Sequence, residues 1–166
     1  MATRAPSDQD RDRLLVWLAA GVAELEWALA QLPPERLAAA PPRHLSGWPA
    51  LQHLWHLATY ERTVALPSLE YLLTGDAAPL RRASQRGADA AYTGREDLRA
   101  LLDDLAQVKA QERRLLEGAS AEAWTTARPH PYYGAAVTAR WMLQKSYQHT
   151  LEHLTAIWQM ALFWDL

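Results

Sequence analysis

The chain contains no cysteine, which excludes disulfides, zinc–thiolate sites and a cysteine nucleophile. Any metal must therefore be held by His, Asp or Glu. There is no basic excess either: 17 Lys and Arg stand against 19 Asp and Glu, a formal charge of −2. That balance argues against nucleic acid as a partner, since a general binder needs surplus cations to displace phosphate counterions. Long apolar runs are also missing. The longest, Leu14 to Leu32, is interrupted by Glu24 and Glu26, and it falls short of the roughly 20 apolar residues that a membrane span needs. No stretch of alternating β-branched residues occurs, so strands are not expected. The segment MATRAPSDQDRDR places no apolar stretch behind a basic one, so a cytoplasmic protein free of the membrane is the expectation.

What remains is an ordinary globular composition. The 166 residues are 49% hydrophobic and 22% charged, which suits one domain spanning residues 1–166. Proline and glycine cluster in a few places and cut the chain into segments. Ser7 with Asp8, Asp10 and Asp12 marks a helix start, a cap plus negative charge at the positive end of the helix dipole. Leu14, Leu15, Trp17, Leu18, Val22, Leu25, Leu29 and Leu32 then follow the helical period, and Pro33-Pro34 stops it. A loop should run from Pro33 to Gly47. Ser46-Gly47-Trp48-Pro49 opens a second helix that reaches about Leu73, with Pro67 kinking or breaking it. A long polar crossover from Gly75 to Gly94 carries Arg81, Arg82 and Arg86, which read as a solvated loop. A third helix is expected over Arg95 to Leu116, with Gly118 as its stop, and a fourth from Ala135 to about Phe163. The expected fold is all-α: a four-helix bundle whose long connection between helices two and three lets those two run parallel.

Six histidines are present: His44, His53, His56, His130, His149 and His153. His44 and His130 fall in loops. His149 and His153, four apart, share one helical face within about 6 Å along the axis, so both can reach one cation. A third ligand must come from another helix, and helix two offers His53 and His56. On helix four the pair borders the apolar face, beside a polar stripe of Lys145, Gln148, Glu152, Thr155 and Gln159. On helix two His56 lies nearly opposite the apolar side, so it either lines a site or is exposed. Periodicity leaves the choice between His53 and His56 open. His149-Thr150-Leu151-Glu152-His153 also spells H-x-x-E-H, an inverzincin protease pattern, but the wheel turns Glu152 away from the buried face and the chain lacks that family's α/β context.

The segment Trp48-Pro49-Ala50-Leu51-Gln52-His53-Leu54-Trp55-His56-Leu57-Ala58-Thr59-Tyr60-Glu61-Arg62 resembles the second-helix signature of the DinB/YfiT-like superfamily. There a Trp stands eight before a His, a Leu follows it, and an acid stands five beyond. Trp48, His56, Leu57 and Glu61 meet that spacing. Gln148-His149-Thr150-Leu151-Glu152-His153-Leu154 matches the family's last-helix His pair. The resemblance implies a bundle that binds a divalent metal, zinc or nickel, through His56, His149 and His153. It also implies a homodimer acting on a small-molecule substrate. Relatives include transferases and isomerases that use a low-molecular-weight thiol such as mycothiol, bacillithiol or glutathione. A three-histidine site leaves the cation its full charge and an open position, so it can deprotonate a bound thiol or lower the pKa of a bound water. With no cysteine in the chain, the thiol must be a cosubstrate. The leading expectation is a thiol-dependent S-transferase in which a metal-bound thiolate attacks a small electrophile. A small-molecule hydrolase using metal-bound water is the alternative, as is a non-catalytic stress-associated bundle with a structural or vestigial metal.

No catalytic residue beyond the ligands is identified. Glu61 can orient a ligand or form a surface ion pair with Arg62 or Arg113. Tyr60, Tyr132 and Tyr133 line a cleft mouth or simply pack, and Trp55, Trp141 and Trp158 fill the core or a dimer seam.

Overall fold

The computed structural model describes residues 8–45, 47–80 and 89–166. Ser7, Ser46, Arg81, Arg82 and Arg86, singled out above, lie outside the described residues. Helix α1 (Asp8–Ala30) ends ahead of Pro33, and the expected loop contains one short helical turn, α2 (Pro34–Leu37). Helix α3 (Ala50–Tyr60) starts right after Pro49. It does not end at Pro67. It passes through a π-helical turn, Glu61–Ala65, and continues as α4 (Leu66–Thr74). The reason is local. Pro67 has no N–H and its ring crowds the carbonyl four residues back. The wider turn, with the Leu66 N–H donating to the Glu61 carbonyl five residues earlier, removes that conflict. Gly75, at φ 81°, then closes α4 in the left-handed conformation that glycine adopts most cheaply.

After the crossover, with a 3₁₀ turn at Asp89–Ala91, Asp97 caps α5 (Leu98–Glu117) by accepting the Ala100 N–H at 2.7 Å. A short α6 (Ala121–Thr125) plugs the bundle end with Trp124, which is fully buried and donates Nε1–H to the Leu116 carbonyl. Two strands follow where none was expected: β1 (Arg128–His130) and β2 (Gly134–Val137) form an antiparallel hairpin with an irregular register. Helix α7 (Ala139–Phe163), capped by Thr138, completes the fold and begins four residues later than the period suggested.

The core has two lobes. One joins the C-terminal half of α1, α3, the start of α5 and the end of α7, through residues such as Leu29, Leu54, Leu105 and Ile157. The other joins the start of α1, α4, the end of α5 and the start of α7, through Leu18, Leu69, Leu116 and Met142. That pairing fixes the directions: α3–α4 runs parallel to α5, and α1 runs parallel to α7. Between the lobes, at mid-height, the packed residues are polar. Gly21 brings α1 close to α7 there, since a Cβ at that position would lie 3.1 Å from Thr150 Cγ2. Among the described residues no helix is long and apolar enough to cross a membrane.

Candidate metal centre

The four helical histidines meet where α3 faces α7. His56 Nε2 lies 3.2 Å from His149 Nε2, and His153 Nε2 lies 3.1 Å from that same atom. One ring nitrogen from each of His56, His149 and His153 falls within 4.8 Å of the others, a grouping that can hold a metal ion. The polar side of helix two therefore faces α7 at this cluster, and His56 is half-buried there. His53 is buried too, but it is outside the converging trio: its Nδ1 meets His153 Nδ1 at 2.7 Å. Trp48 lies over the cluster, its ring centred 5.1 Å from His56 and 5.6 Å from His53. Of the remaining two histidines, His44 is exposed and donates to the Phe163 carbonyl, while His130 is buried on β1 against Ser68 Oγ.

The donor set suits a divalent cation. Two imidazole nitrogens bound to one tetrahedral zinc at about 2.0–2.1 Å stand roughly 3.3–3.4 Å apart, close to the two contacts observed. Each nitrogen–nitrogen contact also needs a proton or a shared cation between its lone pairs. His149 Nε2 takes part in two such contacts and carries at most one proton, while its buried Nδ1 has no partner. Burial lowers the pKa of His149 to about 4, with His56 adding to the effect and Glu61 opposing it. Burial first, then the neighbouring imidazoles of His149, His53 and His56, lowers His153 to about 2. Both rings are therefore neutral near pH 7, the form that binds metal.

One turn further along, the polar layer between the core lobes is an ionic cluster. Glu61 is fully buried, and Lys109 Nζ lies 2.7 Å from its Oε2. The same ammonium donates to Ser146 Oγ at 2.6 Å and to Glu112 Oε2 at 3.2 Å. The Ser146 hydroxyl lies 2.9 Å from both oxygens of Glu61. The surface-pair alternative for Glu61 thus fails: Arg62 pairs with Asp104, and Arg113 pairs with Glu117. The helical register explains the inward placement: the Glu61 N–H still bonds the Leu57 and Ala58 carbonyls, which sets its side chain on the buried face with those two residues. Burial raises the Glu112 pKa well above the carboxylate range; Lys109 opposes this and Glu61 adds to it. Lys109 would be lowered by burial alone, but Glu112 and Glu61 outweigh that and hold it charged.

The sequence reading missed Lys109, Glu112 and Ser146. A signal existed, since Lys109 and Glu112 occupy the apolar period of α5 between Leu105 and Leu116. Tyr60 is buried against the His149 ring at 4.4 Å, and its hydroxyl meets that of Tyr133 at 2.9 Å. Burial and that hydrogen bond push the Tyr60 pKa up. Tyr132 is exposed. Trp55 and Trp158 are half-buried against the core, and Trp141 is exposed. Glu152 is exposed and accepts from Gln148, away from the site, so the protease pattern is incidental.

A sequence model of the DinB superfamily matches residues 18–157. The chain belongs to the DinB superfamily. A sequence search of curated proteins finds no match. Among solved structures, this DinB protein superposes on YfiT from Bacillus subtilis, described as a probable metal-dependent hydrolase with an unusual four-helix bundle topology. The TM-score is 0.72 at 17% identity, covering 99% of this chain and 94% of that one. It also resembles the mycothiol-dependent maleylpyruvate isomerase, with a TM-score of 0.68 at 19% identity, covering 89% of this chain and 60% of the isomerase. A point mutant of that isomerase gives the same TM-score at 18% identity. At such identities the likeness concerns the DinB four-helix bundle alone.

Proposed function

We propose that this DinB protein is a divalent-metal-dependent enzyme in which His56, His149 and His153 hold zinc or nickel and a small thiol is transferred to an electrophile. The observation that carries this reading is the convergence of three imidazole nitrogens from two helices. A divalent cation bound there supplies Lewis acidity, which lowers the pKa of a thiol or water brought to it. Everything else falls to the chain's own residues. His149 and His153, kept neutral by burial, present lone pairs instead of N–H groups. Trp48 covers one side of the cluster and limits access of water. Tyr60 and Tyr133, joined through their hydroxyls beside His149, can donate a hydrogen bond to a polar group on the substrate. The chain has no cysteine, so the nucleophilic sulfur comes from a cosubstrate such as a low-molecular-weight thiol.

A hydrolase reading draws on the superposition with YfiT over nearly the whole of both chains. The same donor set would serve it, with no cosubstrate required. One experiment separates the two. Metal-loaded protein is assayed against a panel of small electrophiles with and without mycothiol, bacillithiol or glutathione. The transferase reading expects turnover that requires a thiol and disappears in His149→Ala. Thiol-independent loss of substrate would instead indicate hydrolysis. Turnover unaffected in a His149→Ala variant that has lost its metal would contradict both.

A further inference from the structure

His53 is a buried imidazole that takes no place among the converging nitrogens. Its Nδ1 instead lies 2.7 Å from Nδ1 of His153, the ring nitrogen on the far side from the cluster. His153 Nε2 is already committed to the converging set, 3.1 Å from His149 Nε2. An imidazole that gives its Nε2 lone pair to a cation carries its proton on Nδ1. The short contact must then be His153 Nδ1–H donating to a bare Nδ1 on His53, with the His53 proton on its Nε2. A metal-bound histidine usually makes such a bond to a carboxylate or a carbonyl, which sets its tautomer and ring angle.

We infer that His53 is a positioning residue for His153, an imidazole acceptor that locks the tautomer and orientation of this ligand without touching the cation itself. The inference rests on the three-histidine reading above. The sequence supports the geometry: His53 and His56, three apart on α3, project from the same side of the helix, one toward the back of His153 and the other toward the front of His149. Trp48 fixes His53 from above, its ring 5.6 Å away. His149 makes the contrast, because its buried Nδ1 has no partner. His153 is thus the ligand whose orientation is set by a neighbouring ring.

The test compares zinc affinity, by competition with a chromophoric chelator, in wild type, His53→Leu, His53→Asn and His149→Ala. Histidine ¹⁵N–¹H spectra of the zinc-loaded protein are recorded alongside. Leucine keeps the volume but removes the acceptor, whereas asparagine places an amide oxygen near the former Nδ1. The expected result is a loss of about 10–100-fold in zinc affinity for His53→Leu, recovered to within a few-fold by His53→Asn. The zinc-loaded wild type should show His153 protonated at Nδ1 and His53 at Nε2, with the His153 signal displaced in His53→Leu. Wild-type affinity in His53→Leu would overturn the inference. So would a loss as complete as in His149→Ala, which would make His53 a ligand. Should His53→Leu fail to fold, the wild-type spectrum decides, and a His53 proton on Nδ1 overturns it. A wild type that takes up no zinc overturns the three-histidine reading first, a distinct failure.

Discussion

Lys109 is an ammonium with three donors, and the chain supplies three acceptors for it inside the core: Glu61, Glu112 and Ser146. Two buried carboxyl groups facing one cation leave an excess negative charge unless one of them is protonated. Burial raises the pKa of Glu112, with Lys109 opposing and Glu61 adding to the shift, so of the two carboxyls it is the one whose neutral form the site favours. Lys109→Met should therefore leave an uncompensated buried carboxylate and cost about 3–5 kcal/mol in denaturant titrations. Glu112→Gln, which replaces a neutral acid by an amide of the same shape, should change stability by less than about 1 kcal/mol. Equal losses in the two variants would show that Glu112 is ionised. At this scale the histidine pair was legible, because a spacing of four on one helix is decided by the helix alone. The choice between His53 and His56 was not. Both project toward α7, and their roles differ only through what His149 and His153 present to them.

At the scale of elements, helical period and Pro/Gly punctuation mark the four long helices, because each carries an apolar face of many residues. The hairpin was invisible for the opposite reason. Strands of three and four residues, one containing Pro129, offer no alternation to detect. They are held by tertiary bonds instead: Arg128 Nε donates to the Leu72 carbonyl, the Tyr71 hydroxyl to the Pro129 carbonyl, and His130 pairs with Ser68. Pro67 was expected to kink or break its helix, and the π-helical turn absorbs it. Gly75, which ends this helix, is expected to resist substitution. At φ 81° a Cβ is strained, and it would meet Arg128 Nη1 at 2.9 Å. Gly75→Ala should lower stability by roughly 1–2 kcal/mol, read from thermal melts. An unchanged melting temperature would mean that the helix end relaxes.

For the molecule as a whole, helices two and three run parallel, and the cluster-bearing helices α3 and α7 pack side by side. The crossover length made this arrangement readable. The polar layer at mid-height was not, because it arises only when four helices stack their exceptions at one level. The buried histidines also give the metal-free protein a defined acid response. Unfolded, each imidazole takes up a proton near pH 6.5, whereas in the fold His53 and His149 resist down to about 4 and His153 to about 2. Through that interval the unfolded chain binds more protons, so stability falls as pH drops below about 6.5. Denaturant midpoints of metal-free protein between pH 7 and 4 should decline steadily, and less so in His153→Leu. A flat profile would mean that the histidines are solvated.

The most direct measurement is a zinc titration of chelator-stripped protein by calorimetry. One equivalent should bind per chain in the wild type, and His56→Ala, His149→Ala and His153→Ala should each abolish that high-affinity binding while the helical circular dichroism is retained. Wild-type binding in all three variants, or none in the parent protein, would contradict the account.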